Sequence, residues 1–188
     1  YDGGVLSNKR TDTVIARGVK TWEATAFQAG LDHVKVELTL QYRLKNNEWN
    51  DDDGWQNTDT KEELRGFQAE NHLTGVVEEE LPRYDQLGRE LEYRWVETGV
   101  YERTGDNYSE NLIEKNADGS PSFKLAQGGK EYTYTIESEW DGEYTKTDGT
   151  GKEKQGSQTT ITNRLQDTVD YTVKKTWLDE NGKPTDPW

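Results

Sequence analysis

Residues 34–44, VKVELTLQYRL, alternate side chains of two kinds without a break. Val34, Val36, Leu38, Leu40, Tyr42 and Leu44 fall on one side of an extended chain, and Lys35, Glu37, Thr39, Gln41 and Arg43 on the other. A helical period of 3.6 would scatter both sets around the axis, whereas a period of two gives a strand with one buried face. Such a strand demands a sheet, and the sheet a second layer to cover it. The same alternation predicts strands at 13–22, 91–98, 131–138 and 159–163. Between them NNEWNDDDG (46–54), RTGDN (103–107), NADGSP (116–121) and TDGTGKEKQG (147–156) predict turns or exposed loops. The segment TKEELRGFQAE (60–70) predicts a short helix opened by a Thr60 to Glu63 capping box. Many short strands without alternating helices indicate an all-β, antiparallel β-sandwich.

Only 30% of the 188 residues are hydrophobic and 32% are charged, with a net charge of -14, a balance that taken alone leans toward disorder. The 7 Trp, 10 Tyr and 3 Phe supply the large apolar surfaces a core needs. An acidic surface without a Lys/Arg block argues against nucleic acid or a membrane surface as a partner. Without cysteine there is no disulfide and no thiolate metal site. With no apolar run long enough to span a bilayer, no leader and no initiator Met, the chain is expected to be a piece of a longer protein.

The chain also repeats itself. NKRTDTVIARGVKTW (8–22) and NRLQDTVDYTVKKTW (163–177) agree at seven of fifteen positions, Trp22 falling on Trp177 and Lys20 on Lys175. Unrelated segments share roughly one such position. The repeat divides the chain into the tail of one unit (1–9), one complete unit (10–166) and the opening of another (167–188), an arrangement typical of spacer and interaction arrays.

Strand parity then places three polar groups on apolar faces. Lys20 lies with Val14, Ala16, Gly18 and Trp22; Glu97 with Tyr93 and Trp95; Asn163 with Thr159 and Ile161. Lysine is rarely buried unpaired, and Lys175 repeats the pattern among Val169, Tyr171, Val173 and Trp177. Burial disfavours the charged form of an amine and of a carboxyl alike, leaving a nucleophile and a proton-carrying acid that can polarise a carboxamide. A second run, YTYTIES (132–138), offers Glu137, but there parity puts Tyr132, Tyr134, Ile136 and Ser138 inward and Glu137 outward. A buried ion pair with an amide neighbour and no chemistry is the alternative reading of Lys20, Glu97 and Asn163.

The blocks VKTW, LPRYDQLGRELEYRWVETGVY and TTITN, in this order, resemble the collagen-adhesin B-type (Cna-B) repeats of Gram-positive surface adhesins and pili. The resemblance implies an Ig-like or prealbumin-like sandwich in a cell-wall-anchored extracellular protein. It also implies an isopeptide bond between Lys20 and Asn163, with Glu97 as proton shuttle. Asn8 and Lys175 would belong to bonds of the neighbouring units. The unit of 155 residues, measured from Trp22 to Trp177, exceeds the usual repeat, so insertions are expected near 45–75 and 98–130. The function implied is a structural stalk without turnover and without cofactor or metal, whose partners are neighbouring repeats and, through the whole adhesin, a host glycan or matrix protein. The alternative is a ligand-binding adhesin module.

Other features carry less. NDDDG lacks the spacing and terminal Glu of a calcium loop, and His33 and His72 are too few for a metal site. The run Glu78–Glu80 alternates faces, unlike the paired acids of a glycosidase, and reads as exposed charge. LPRYD begins like a sortase signal but lacks Thr-Gly. Trp49 and Trp55 could offer rings to a ligand, although strand-edge packing is the commoner use of such residues.

Overall fold

The computed structural model describes residues 12–23, 31–45, 54–67, 74–127, 129–166, 177–178 and 184–185. Most of them are strand, with one 3-10 turn at Leu31–His33 and no α-helix among the described residues. In chain order these are β1 (Thr13–Glu23), β2 (Val34–Leu44), β3 (Gln56–Arg65), β4 (Thr74–Pro82), β5 (Leu91–Thr104) and β6 (Asn107–Tyr108). They continue as β7 (Glu114–Lys115), β8 (Pro121–Gln127), β9 (Lys130–Thr147) and β10 (Glu153–Leu165), and a short pair joins Trp177–Leu178 to Pro184–Thr185.

One sheet has the order β4-β1-β10-β9-β8-β7 and the other β3-β2-β5-β6, packed face to face as an all-β sandwich. β2 buries Val34, Val36, Leu38 and Leu40 of the six residues its alternation selects; Tyr42 and Leu44 are only half-buried, and Thr39 of the opposite set is buried as well. The facing layer supplies Trp22, Phe123, Leu125, Tyr134 and Ile161. Trp22 meets Phe67, Phe123 and Tyr134 edge to face at ring separations of 5.4–5.8 Å, so aromatics replace the scarce aliphatics as core.

Three expectations need correction. Residues 60–65 are strand, not helix: they belong to β3, whose Lys61–Arg65 pair with Thr39–Lys35 of β2. The local helix preference of Lys61, Glu62 and Glu63 yields to ladder hydrogen bonding, and their charges suit an edge strand that must resist further pairing. Residues 68–70 of that segment lie outside the described residues. The expected loop at 147–156 narrows to a turn at Asp148–Lys152, closed by Asp148 Oδ1 accepting from the N–H groups of Thr150 and Lys152, and residues 153–156 open β10. The sandwich is also not wholly antiparallel. β1 and β10 run parallel from Ile15 opposite Gly156 to Glu23 opposite Arg164, with β4 antiparallel on the far side of β1. A Cβ on Gly156 would stand 1.9 Å from the Ile15 carbonyl oxygen, so only glycine admits β1 where this ladder begins. The stretches 56–65 and 98–127 contribute strands to the two sheets rather than hanging outside them.

Candidate functional site at the β1, β5 and β10 corner

The inner face of β1 carries Ala16, Gly18, Lys20 and Trp22. Because Trp22 is locked among three rings, a one-residue slip that would free Lys20 would also expose Trp22. The inner face of β10 carries Ser157, Thr159, Ile161 and Asn163, all buried. In the parallel register Lys20 sits opposite Ile161 and Trp22 opposite Asn163, so the amine and the carboxamide occupy successive inward positions.

β5 crosses above them with Tyr93 and Trp95 buried and Glu97 next on the same side. Opposite β2, Leu38 pairs with Glu97 and Glu37 with Gly99, leaving Thr98 as the extra residue of a bulge. The bulge ends the odd-numbered inward set at Glu97 and hands the core position to Val100, opposite Val36. Glu97 is therefore the last inward side chain of the odd-numbered set.

The three predicted residues meet. Asn163 Nδ2 donates to Glu97 Oε1 at 2.9 Å, and Lys20 Nζ lies 3.1 Å from Glu97 Oε2. The side chains of Lys20 and Glu97 are 0% exposed, as is Asn163, although the Glu97 main chain is not fully covered. Lys20 Nζ also donates to the Thr21 carbonyl at 3.0 Å and sits 5.0 Å from the centre of the Trp22 ring. Loss of water pulls the Lys20 ammonium from 10.5 down to about 8, against the upward pull of the Glu97 charge beside it.

Two acceptors in this dry corner have no aligned donor. Glu97 Oε2 is at ion-pair distance from Lys20 without hydrogen-bond geometry, and Asn163 Oδ1 has no partner. An unsatisfied buried acceptor costs about 1–3 kcal/mol, so the unlinked cluster is not a comfortable resting arrangement.

Glu137 is exposed and held by Arg164 at 3.1 Å, away from the cluster. Glu78 and Glu80 project from the edge strand β4 to Lys146 at 2.7 Å and Lys154 at 2.6 Å. His33 is paired with Glu102 at 2.9 Å, and no group of three metal-ligating side chains occurs among the described residues. Trp55 packs edge to face on Trp140 and against the guanidinium groups of Arg43 and Arg94, at 4.5 and 4.4 Å. Asn8, Trp49, His72 and Lys175, and NDDDG apart from Gly54, lie outside the described residues.

Parity did not single out Ser157, Thr159 and Trp95 as partners across the sheets. Ser157 Oγ donates to the Tyr93 carbonyl at 2.6 Å, the Trp95 main-chain N–H donates to Thr159 Oγ1 at 3.1 Å, and Trp95 Nε1 donates to the Ala16 carbonyl at 3.1 Å. Hydroxyls on an otherwise apolar face were the available signal.

Fold and site together define an all-β sandwich with an enclosed amine, carboxyl and carboxamide shared by three strands. Comparison with protein-family models, curated proteins and solved structures finds no match to this chain.

Proposed function

We propose that this chain is a stalk unit of a bacterial cell-surface adhesin or pilus-like protein, its sandwich closed by one isopeptide bond between Lys20 and Asn163. The observation that carries the reading is the enclosed cluster, in which one carboxyl reaches both the amine and the carboxamide at 3.1 and 2.9 Å. The internal repeat, the absence of cysteine and the resemblance to Cna-B repeats support the setting.

The chemistry needs no external reactant. Lys20 passes a proton to Glu97 and becomes a neutral amine. A half-turn of the Asn163 carboxamide about Cβ–Cγ exchanges Nδ2 and Oδ1, so that the oxygen now accepts from the Glu97 acid. Nζ attacks Cγ, and Glu97 stabilises the oxyanion that forms. The proton shed by Nζ travels through Glu97 to Nδ2, the Cγ–Nδ2 bond breaks and one ammonia leaves. Glu97 retains the proton first taken from Lys20. In the product the amide oxygen accepts from Glu97, which satisfies the Asn163 acceptor orphaned beforehand. Folding supplies the effective concentration, and the event occurs once.

The bond closes a loop from residue 20 to residue 163, for which the chain-entropy relation gives about 5 kcal/mol. Its mechanical effect is larger. Force entering β1 from its N-terminal end crosses at Lys20 to Asn163 and leaves along β10, so residues 21–162 carry no load. Pulling single molecules from both ends tests this. The wild-type chain should show no extension from those residues, whereas Lys20→Ala should release about 500 Å, at roughly 3.5 Å per residue; equal extension in both would refute the stalk reading. A ligand-binding module is less well supported, because Trp55, the described candidate platform, is already engaged by Arg43 and Arg94.

A further inference from the structure

Asparagine and glutamate alone do not fix the corner, because Glu97 belongs to the opposite sheet and to an incompletely paired strand. β6 joins β5 at Arg103 and Thr104, and the 83–91 turn meets the start of β5 where the Leu91 N–H donates to the Arg83 carbonyl. Over residues 92–97 no strand among the described residues pairs with the side of β5 away from β2. Side chains supply the partners instead. The Tyr93 carbonyl accepts from Ser157 Oγ and from Trp140 Nε1, at 2.6 and 2.9 Å, and the Trp95 N–H donates to Thr159 Oγ1. Together with Asn163 and Glu97, these contacts form a ladder between β10 and β5: 157 to 93, 159 to 95, 163 to 97.

The middle rung is the constrained one. Thr159 is 1% exposed, a hydroxyl where valine would fill the same space. Trp95 is fixed on its other side as well, through Nε1 to the Ala16 carbonyl and by its ring lying over Gly18, where a Cβ would come within 3.0 Å of the indole and 2.7 Å of Val77. Trp95 is thus tied to β10 by its main chain and to β1 by its side chain, two residues before Glu97 and on the same face.

Resting on the cross-linking reading above, we propose that Thr159 is a positioning residue for bond formation: its hydroxyl, by accepting from the Trp95 main chain, holds β5 at the height that sets the Glu97 carboxyl between Lys20 and Asn163. Misplacement of a reacting group by about 1 Å costs on the order of a hundredfold in rate.

The experiment follows cross-linking directly. Full chains made in a brief pulse of cell-free synthesis are chased, quenched in acid and weighed intact, with rates taken on the folded fraction isolated by gel filtration. Thr159→Val, which keeps the shape and loses the acceptor, should slow the loss of ammonia at least about tenfold; Thr159→Ser, which restores the acceptor, should return to near the wild-type rate. If Thr159→Val yields no folded fraction, Thr159→Ala takes its place. Ser157→Ala should stay close to wild type, because the Tyr93 carbonyl keeps its Trp140 donor. Equal rates in Thr159→Val and wild type, or a Thr159→Ser as slow as Thr159→Val, would overturn the positioning role alone. A wild-type chain that never loses ammonia would remove the cross-linking reading and this proposal with it.

Discussion

Lys20 with Glu97 and Lys146 with Glu78 are the same two residue types at similar distances, 3.1 and 2.7 Å, the first pair enclosed between the two sheets and the second on the outer face of one of them. On the outer face the pair is solvated, and water competes for both partners, so the contact contributes little and salt weakens it further. On the inner face water is gone, Lys20 is driven down to about 8, and Asn163 adds a third polar group with an orphaned oxygen. A buried ion pair of this kind is a poor stabiliser, and apolar residues of similar volume often do better. The outer pair therefore reads as surface, while the inner one calls for a chemical reason.

The comparison breaks most sharply at Glu97. Glu97→Ala removes the proton shuttle and leaves the Lys20 amine buried without its counter-charge, so both the cross-link and the pairing go. Denaturant unfolding should show a loss exceeding about 5 kcal/mol relative to wild type. A loss no larger than that of Lys146→Ala would place the two pairs in one class.

A smaller effect isolates the amine. Asn163→Ala cannot cross-link but keeps Lys20 and Glu97. Lys20 titrates near 8 in the folded chain and near 10.5 when unfolded, so between these values the unfolded state binds more protons and stability rises with pH. Measured against Lys20→Met in the same background, the gain from pH 8 to 10.5 should be about 3 kcal/mol. A flat difference would mean that Lys20 is not buried as described.

The rate of bond formation sharpens the comparison further. The reactive pair, neutral amine with protonated acid, holds the same single proton as the ion pair, and that last proton is lost near pH 8. Cross-linking in cell-free product should consequently slow as pH rises through 8, approaching about tenfold per unit. Acceleration over that range would show that a free amine suffices without Glu97 as acid. The smallest effect belongs to the outer face: Lys146→Ala should leave the unfolding midpoint nearly unchanged, and high salt should erase what difference there is.

How far the sequence reveals this corner depends on where parity holds. Lys20 and Asn163 lie on strands without irregularity near them, and counting by twos places both inside. Glu97 was reachable because the bulge falls just after it, at Thr98, and not before. Parity does not carry across sheets, which is why the Thr159 to Trp95 contact and the parallel pairing of β1 with β10 come only from the fold. β3 misled because its charged residues have helical preferences and few apolar side chains to mark a face, and only its neighbour β2 makes it a strand. β4 and β8 went unassigned for a related reason: Gly75, the Glu78–Glu80 run and Pro82 blur one pattern, and in the other only Phe123 and Leu125 mark a large apolar face, directly after a turn ending in Pro121.

The central claim is that Lys20 and Asn163 become one amide. Intact mass spectrometry of the denatured, purified chain tests it most directly, with Lys20→Ala beside it. The wild-type chain should weigh one ammonia less than its sequence while Lys20→Ala carries its full calculated mass, and fragmentation should leave 20 and 163 joined. A wild-type chain at full mass would contradict the account and leave the cluster a buried ion pair with an amide neighbour.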